Sequence, residues 1–201
     1  MKKRELEIIL ERVEDIEQPE VESEQYATPA PVAAELLFFA FSHGDIADRV
    51  VYDLGCGNGI LGIGAKLLGA RAVIGIDRDG KALGTARKNS AMFGVEVDFR
   101  QCEIHEIKVA GDTVVMNPPF GAQRKNRHAD RAFLEKALVV APVVYSIHNA
   151  GSEAFIRRLL PATTTIDRFP VAFPLKRRFA FHQKDRKVIP VDIYRIARPG
   201  E

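Results

Sequence analysis

Short apolar runs alternate along the chain with longer stretches in which apolar residues return every three or four positions, a pattern that predicts strands interleaved with helices. Val50 to Leu54, Ala72 to Ile76, Val95 to Arg100, Thr113 to Met116 and Val143 to Ile147 read as strands. Between them the spacing predicts helices over Ile60 to Leu68, from a cap at Asp79 to Phe93, over Ala132 to Val140 and over Glu153 to Leu160. Gly69 and Gly94 mark two of the helix ends. Upstream, residues 3–17 read as a polar helix, and Pro29 and Pro31 introduce an apolar helix, Val32 to about Phe41. Two longer β segments, about Thr164 to Phe173 and Val188 to Ile196, close the chain with no helix between them, so the last strand returns antiparallel. The expectation is an α/β, Rossmann-like sandwich with a seven-stranded, mostly parallel sheet, an antiparallel last strand and helices on both faces.

A chain of 201 residues suits one domain, residues 1–201, and the 46% apolar and 28% charged content excludes wholesale disorder and coiled coil. Cys56 and Cys102 are too few for a disulfide framework or an all-cysteine zinc site, and read as small buried thiols. No apolar run approaches a membrane span, and Met1-Lys2-Lys3-Arg4 leads into acidic residues, so a cytoplasmic protein is expected. The net charge of +2 says little, but its distribution says more. Nine acids between Glu5 and Glu24 face only Arg12, as in a solvated segment. Basic residues gather at Arg124, Lys125 and Arg127, and again at Lys176, Arg177, Arg178 and Lys184. The second group interleaves with Phe173, Phe179, Phe181 and His182, cations and flat rings that suit an RNA backbone and its unstacked bases. Two solubilising loops are the plainer alternative.

Asp53-Leu54-Gly55-Cys56-Gly57-Asn58-Gly59 joins a strand to a helix. Alternate glycines let the backbone turn sharply and let a ligand approach closely, at the carboxyl edge where such sheets bind ligands. Asp77 ends the next strand, 24 residues on, where a carboxylate takes both hydroxyls of an adenosine ribose. The spacing G-x-G-x-G behind an acid differs from the dinucleotide pattern G-x-G-x-x-G. Asp53 would repel a diphosphate and attract S-adenosylmethionine, with its sulfonium and ammonium.

Asn117-Pro118-Pro119-Phe120 follows the fourth strand, again at the ligand edge. Consecutive prolines fix φ and remove two N–H donors. The side-chain oxygen of Asn117 and the carbonyl of Pro118 then form a rigid pair of acceptors, suited to an amine with two hydrogens. Bonding both hydrogens of an adenine amino group frees its lone pair for attack on a methyl donor, and Phe120 offers a face for the extruded base.

The glycine turn, Asp77 and Asn117-Pro118-Pro119-Phe120, in this order, resemble class I amino-methyltransferases. More narrowly, Gln25-Tyr26-x-Thr28-Pro29, the run Met116 to Gly121 and Phe179-x-Phe181-His182 resemble the methyltransferase-like protein 5 family and its archaeal relatives, over roughly Glu24 to Arg195. The resemblance implies N6 methylation of one adenine in small-subunit ribosomal RNA and, in eukaryotes, a small zinc-binding activator subunit. It also implies that residues 1–30 form a helix and cofactor lid on a core of residues 31–201, with Gln25 and Thr28 touching the cofactor. Gly55, Asn58 and Ile60 would line its methionine and ribose side, Asp77 would hold the ribose, and Glu103 and Ile104 would flank its adenine. Glu103 stands where an Asp is usual. Asn117 to Phe120 would hold the target base.

No histidine has metal-ligand spacing, so no metal is expected, and His148 reads as a hydrogen-bonded structural residue. An apolar strand edge near Val73 and Val97 is a candidate docking site for a partner. Two enzymatic alternatives use the same turn: N5-glutamine methylation of a release factor, and DNA adenine methylation. The first usually has a helical substrate domain and the second a large recognition domain, for which the chain leaves little room. A non-catalytic RNA-binding module is the remaining alternative.

Overall fold

The computed structural model describes residues 1–16, 27–119, 129–174 and 188–199. Its helices are α1 (Lys3–Leu10), α2 (Ala30–Ser42), α3 (Ile60–Leu67), α4 (Gly80–Met92), α5 (Ala129–Val140) and α6 (Glu153–Arg158). Its strands are β1 (Val50–Leu54), β2 (Ala72–Asp77), β3 (Asp98–Gln101), β4 (Thr113–Met116), β5 (Val143–Asn149), β6 (Thr165–Pro174) and β7 (Val188–Ala197). They form one seven-stranded sheet in the order β3-β2-β1-β4-β5-β7-β6. The pairs β1–β2, β2–β3, β1–β4 and β4–β5 are parallel, and β7 is antiparallel to both β5 and β6. The Rossmann-like sheet with an antiparallel last strand is therefore present.

Side chains alternate across the pleat and build two cores. Val51, Val73, Val115, Tyr145 and Ile193 face α1, α2 and α3. Tyr52, Ile74, Val114, Val144 and Tyr194 face α5 and α6. Leu83 and Ala86 of α4 cover Phe99 of β3. Strands buried on both faces explain why β1 and β4 show no apolar–polar alternation, with only Asp53 and Thr113 interrupting their apolar residues.

Three elements depart from the expected pattern. The N-terminal helix stops at Leu10, and it is not a solvated segment: Leu6 and Leu10 are fully buried in the same core as α2 and α3, with Val13 close behind. Its apolar positions follow helical spacing, but the surrounding acids dominate a composition-based reading. The third strand begins at Asp98 rather than Val95, and the closing bonds of α4 occupy the chain as far as Val95. Gly94 has φ +61°, its N–H bonds Ala91, and the N–H of Val95 reaches back 3.1 Å to the carbonyl of Ser90. Val73, finally, is no edge residue: it lies 3% exposed in β2, between β1 and β3.

Candidate active site

From β1 the chain builds outward through β2 and β3, then returns to lay β4 on the other side of β1. That reversal leaves a crevice beyond the carboxyl ends of the strands. A cavity of about 290 Å³ occupies it, near the lower end of small-molecule sites, about 300–1,000 Å³. Its walls come from four strand ends: Asp53, Gly55, Asn58 and Ile60 after β1, Asp77 after β2, Glu103 and Ile104 after β3, Asn117 and Pro119 after β4. Ile16 and Thr28 reach it from the N-terminal segment, and Phe133 from α5.

The glycine turn closes on the end of β2, since the N–H groups of Gly55 and Cys56 both donate to the carbonyl of Ile76, at 2.8 and 3.0 Å. Gly55 has φ +69°, and a Cβ there would stand 2.9 Å from Cε1 of Phe133. Gly59 has φ +83°, and its Cβ would stand 3.0 Å from Cζ of Phe99. Both positions require glycine for conformation and for space.

Two carboxylates share the cavity. Asp77 Oδ2 accepts from the N–H of Gly57 at 2.8 Å, and Oδ1 accepts from the N–H of Asp79 at 2.9 Å. These bonds orient the group and leave further lone pairs on each oxygen. Burial nonetheless raises its pKa above the usual carboxylate range. Asp53 is 1% exposed, and its Oδ2 accepts from the N–H of Gly62 at 2.8 Å. Burial pushes its pKa up to about 7, the charge of Asp77 adds to the rise, and the Gly62 bond opposes it. Paired acids in an enclosed space repel a diphosphate and favour a cationic ligand carrying hydroxyl donors. S-adenosylmethionine fits that description.

Asn117 holds the other wall. Its Nδ2 donates to Oγ1 of Thr28 at 3.0 Å, while its Oδ1 is buried with no hydrogen-bond partner among the described residues. An unpaired buried acceptor costs about 1–3 kcal/mol, so a donor arriving with a ligand complements it. Pro118 is buried and outside the lining, whereas Pro119 is on it. Gln25, Phe120, Arg124, Lys125, Arg127, Lys176, Arg177, Arg178, His182 and Lys184 lie outside the described residues. Phe173 does not serve as an exposed ring for RNA: it is 1% exposed in the core.

Sequence reasoning missed three contributors, Asn89, Ile16 and Phe133, and a second role of Asn58. Asn58 lines the cavity, yet its Nδ2 donates to the carbonyl of Glu14 at 3.1 Å and so also ties down the N-terminal segment. Asn89 of α4, fully buried, takes the N–H of Glu14 on Oδ1 at 3.0 Å and donates from Nδ2 to the carbonyls of Glu14 and Asn58, at 3.1 and 3.0 Å. Ile16 continues the apolar spacing of α1 and was findable on that ground; Phe133 carries no local mark. Cys56 is buried with its thiol pushed well up by burial and two nearby carboxylates, and the half-buried Cys102 is raised as well, so both stay protonated. His148 is 2% exposed, held near pKa 4 by burial, and lies 2.7 Å through Nε2 from Oγ of Ser146. Among the described residues no cluster of His, Cys, Asp and Glu is placed to hold a metal, and no helix is long and apolar enough to cross a membrane.

Residues 30–140 match the family described as the Methyltransferase small domain. The rRNA N(6)-adenosine-methyltransferase Mettl5 of Drosophila melanogaster is 36% identical, covering 98% of this chain and 96% of its own. METTL5 of Danio rerio, named with the same activity, is 35% identical over 98% of this chain and 99% of its own. A crystallised protein of Pyrococcus horikoshii, described as a proposed RNA methyltransferase, superposes with a TM-score of 0.87 at 40% identity, over 98% of both chains.

Proposed function

The chain belongs to the METTL5 family of rRNA N(6)-adenosine-methyltransferases, and we propose that it transfers a methyl group from S-adenosylmethionine to the exocyclic N6 of an adenine in small-subunit ribosomal RNA. The observation that carries this reading is the buried, unpaired Oδ1 of Asn117, in the same cavity as Asp53 and Asp77.

When bound, S-adenosylmethionine supplies an electrophilic methyl on a sulfonium. Asp77, steadied by the N–H groups of Gly57 and Asp79, keeps lone pairs for the ribose hydroxyls. Asp53 sets negative charge under the cationic end, Gly55 keeps the backbone low enough for close approach, and Asn58 and Ile60 complete that wall. Glu103 and Ile104 flank the adenine ring of the cofactor. Ile16 and Thr28 on the cavity wall support a role for residues 1–30 as a cover over the core of residues 31–201, within one domain. Gln25 belongs to the same proposal on the family resemblance.

On the substrate side, Oδ1 of Asn117 and the carbonyl of Pro118 accept the two hydrogens of the target amine, which frees its lone pair to point at the methyl. Pro119 stiffens the turn and Phe120 stacks on the base. The chain contributes positioning and preorganised polarity rather than a strong general base. The basic residues Arg124, Lys125, Arg127, Lys176, Arg177, Arg178, His182 and Lys184 are proposed to hold the RNA backbone. A small zinc-binding activator subunit is proposed as a partner on the resemblance alone.

The test is transfer of labelled methyl from S-adenosylmethionine to small-subunit RNA, small ribosomal subunits, total protein and duplex DNA in parallel. We expect label in 6-methyladenosine from RNA, falling by about 100-fold or more in Asn117→Ala. Label in protein would reassign the activity to an amide nitrogen. Cofactor binding without label in any acceptor, with or without an activator subunit, would leave a binding module.

A further inference from the structure

We propose that Lys136 is a positioning residue for the adenine end of the cofactor, because it fixes the wall that carries Glu103 and Ile104. The inference deepens the reading of the cavity as a site for S-adenosylmethionine and rests on it. Between β3 and β4 the chain leaves the sheet after Gln101 and returns at Thr113. That crossing supplies Cys102, Glu103 and Ile104 to the cavity, where the chain runs into a 3₁₀ turn, Ile104–Glu106. The turn closes on itself: the N–H of Glu106 donates to the carbonyl of Glu103 at 3.0 Å, and the N–H of Glu103 to Oε2 of Glu106 at 3.1 Å. So short a helix leaves the carbonyls at its end without helical partners. Lys136 of α5, 31 residues on from His105, meets two of them. Its Nζ donates to the carbonyl of His105 at 3.1 Å and to that of Ile107 at 3.0 Å.

A lysine that serves solubility carries its ammonium into water. Here the half-buried side chain commits two of its three hydrogens to one turn, and a charged donor makes the stronger kind of bond. Three residues earlier, on the same side of the helix, Phe133 abuts the glycine turn: a Cβ at Gly55 would stand 2.9 Å from its Cε1. α5 therefore touches both sides of the cavity and sets the distance from the glycine turn to the wall at Glu103. The rest of the crossing has other anchors. Ile107 is buried in the core that α5 covers, and the N–H of Gly111 donates to the carbonyl of Val140 at 2.9 Å. Among the described residues, the hydrogen bonds from α5 that reach the turn itself are those of Lys136. Removing the ammonium leaves the crossing attached and the turn free to shift. The cost falls on the affinity of a ligand whose adenine rests on Glu103 and Ile104, not on the methyl-transfer step at Asn117, which follows β4.

Lys136→Met keeps the stem and deletes the charged donor, Lys136→Arg keeps a donor of the same charge, and Lys136→Gln serves should the methionine variant fail to fold. In titration calorimetry Lys136→Met should weaken S-adenosylhomocysteine and adenosine by the same factor, about three- to tenfold, and Lys136→Arg should recover most of the loss. With the RNA accepted by the wild type, KM for S-adenosylmethionine should rise by a similar factor while kcat at saturating cofactor stays within about twofold. Backbone amide exchange without ligand should quicken over residues 103–107 and stay unchanged in β1 and β4, where a general loss of stability would show. A Lys136→Met protein that binds both ligands as the wild type does, or that exchanges no faster over 103–107, overturns the proposal. So does a fall in kcat with KM and Kd held. A wild type that binds neither adenosine nor S-adenosylhomocysteine removes the cofactor reading and the proposal with it, so the wild type's own affinity tells the two failures apart.

Discussion

Asp53 has the most consequential electrostatics of any single residue in the cavity. Its folded pKa of about 7 lies above the ordinary 3.8 because burial disfavours the charge. Between those values the unfolded chain releases a proton that the folded chain retains. This group's contribution to stability is therefore fully present at low pH and is lost as pH rises through about 7. A cation in the cavity acts oppositely, since it draws Asp53 into its ionised form and expels the proton. S-adenosylmethionine affinity should strengthen as pH rises from about 5.5 to 8, while that of S-adenosylhomocysteine, which lacks the sulfonium charge, changes less. Titration calorimetry in two buffers of different ionisation enthalpy measures the released proton directly. Asp53→Asn, which can still accept from Gly62, should abolish both the pH dependence and the proton release. Equal pH profiles for the two ligands would make Asp53 a spectator.

Among the elements, the N-terminal segment is joined to the site more tightly than its composition suggests. Leu6, Leu10, Val13 and Ile16 run from the core beneath α2 to the cavity wall, all buried. Glu14, between the last two, has both its backbone groups held by Asn89, and Asn58 shares its carbonyl. Asn89→Ala would strip partners from the part-buried N–H of Glu14 and from the buried carbonyl of Asn58, the latter alone worth about 1–3 kcal/mol when left unpaired. We expect a loss of roughly 2–5 kcal/mol in urea unfolding, with amide exchange accelerated first around Glu14. Weaker cofactor binding should accompany it, because Ile16 loses its anchor. A loss below about 0.5 kcal/mol would show that α1 alone holds the segment. This network was illegible in the sequence: Asn58 and Asn89 are 31 residues apart and each resembles an ordinary helix-flanking or helical asparagine. Only the approach of α4 to the glycine turn brings them to one backbone.

Across the whole molecule, the ends of β6 and β7 that flank residues 175–187 lie at the same edge of the sheet as the cavity. Pro174 pairs with Val188 beyond the end of β5, where Asn149 pairs with Val191. The chain thus enters and leaves residues 175–187 on the side where β4 delivers Asn117. Affinity for RNA should come largely from phosphate contacts and fall steeply with salt. Replacing Lys176, Arg177 and Arg178 together by Ala should flatten the slope of log K against log salt by about 2, at roughly 0.7 per single-strand phosphate contact. S-adenosylmethionine affinity should not move. An unchanged slope would identify these residues as solubilising charge.

What the chain determined by itself is whatever depends on neighbours in sequence. Apolar runs set the strands, glycines at 55, 57 and 59 set the turn, and the absence of a helix before β7 set its antiparallel return. The order of these features along the chain was enough to mark Asp53, Asp77 and Asn117 for one edge, since a parallel sheet delivers every strand end to the same side. The tertiary structure decided what depends on residues distant in the chain. It put Thr28 against Asn117, closed the cavity with Ile16 and Phe133, and used Asn89 to hold Glu14. It also took Phe173 into the core and Val73 into the interior of the sheet. Local pattern specifies which face and which end a side chain occupies; which distant atom it meets there is set by the packing of whole elements, and no spacing in the chain encodes that.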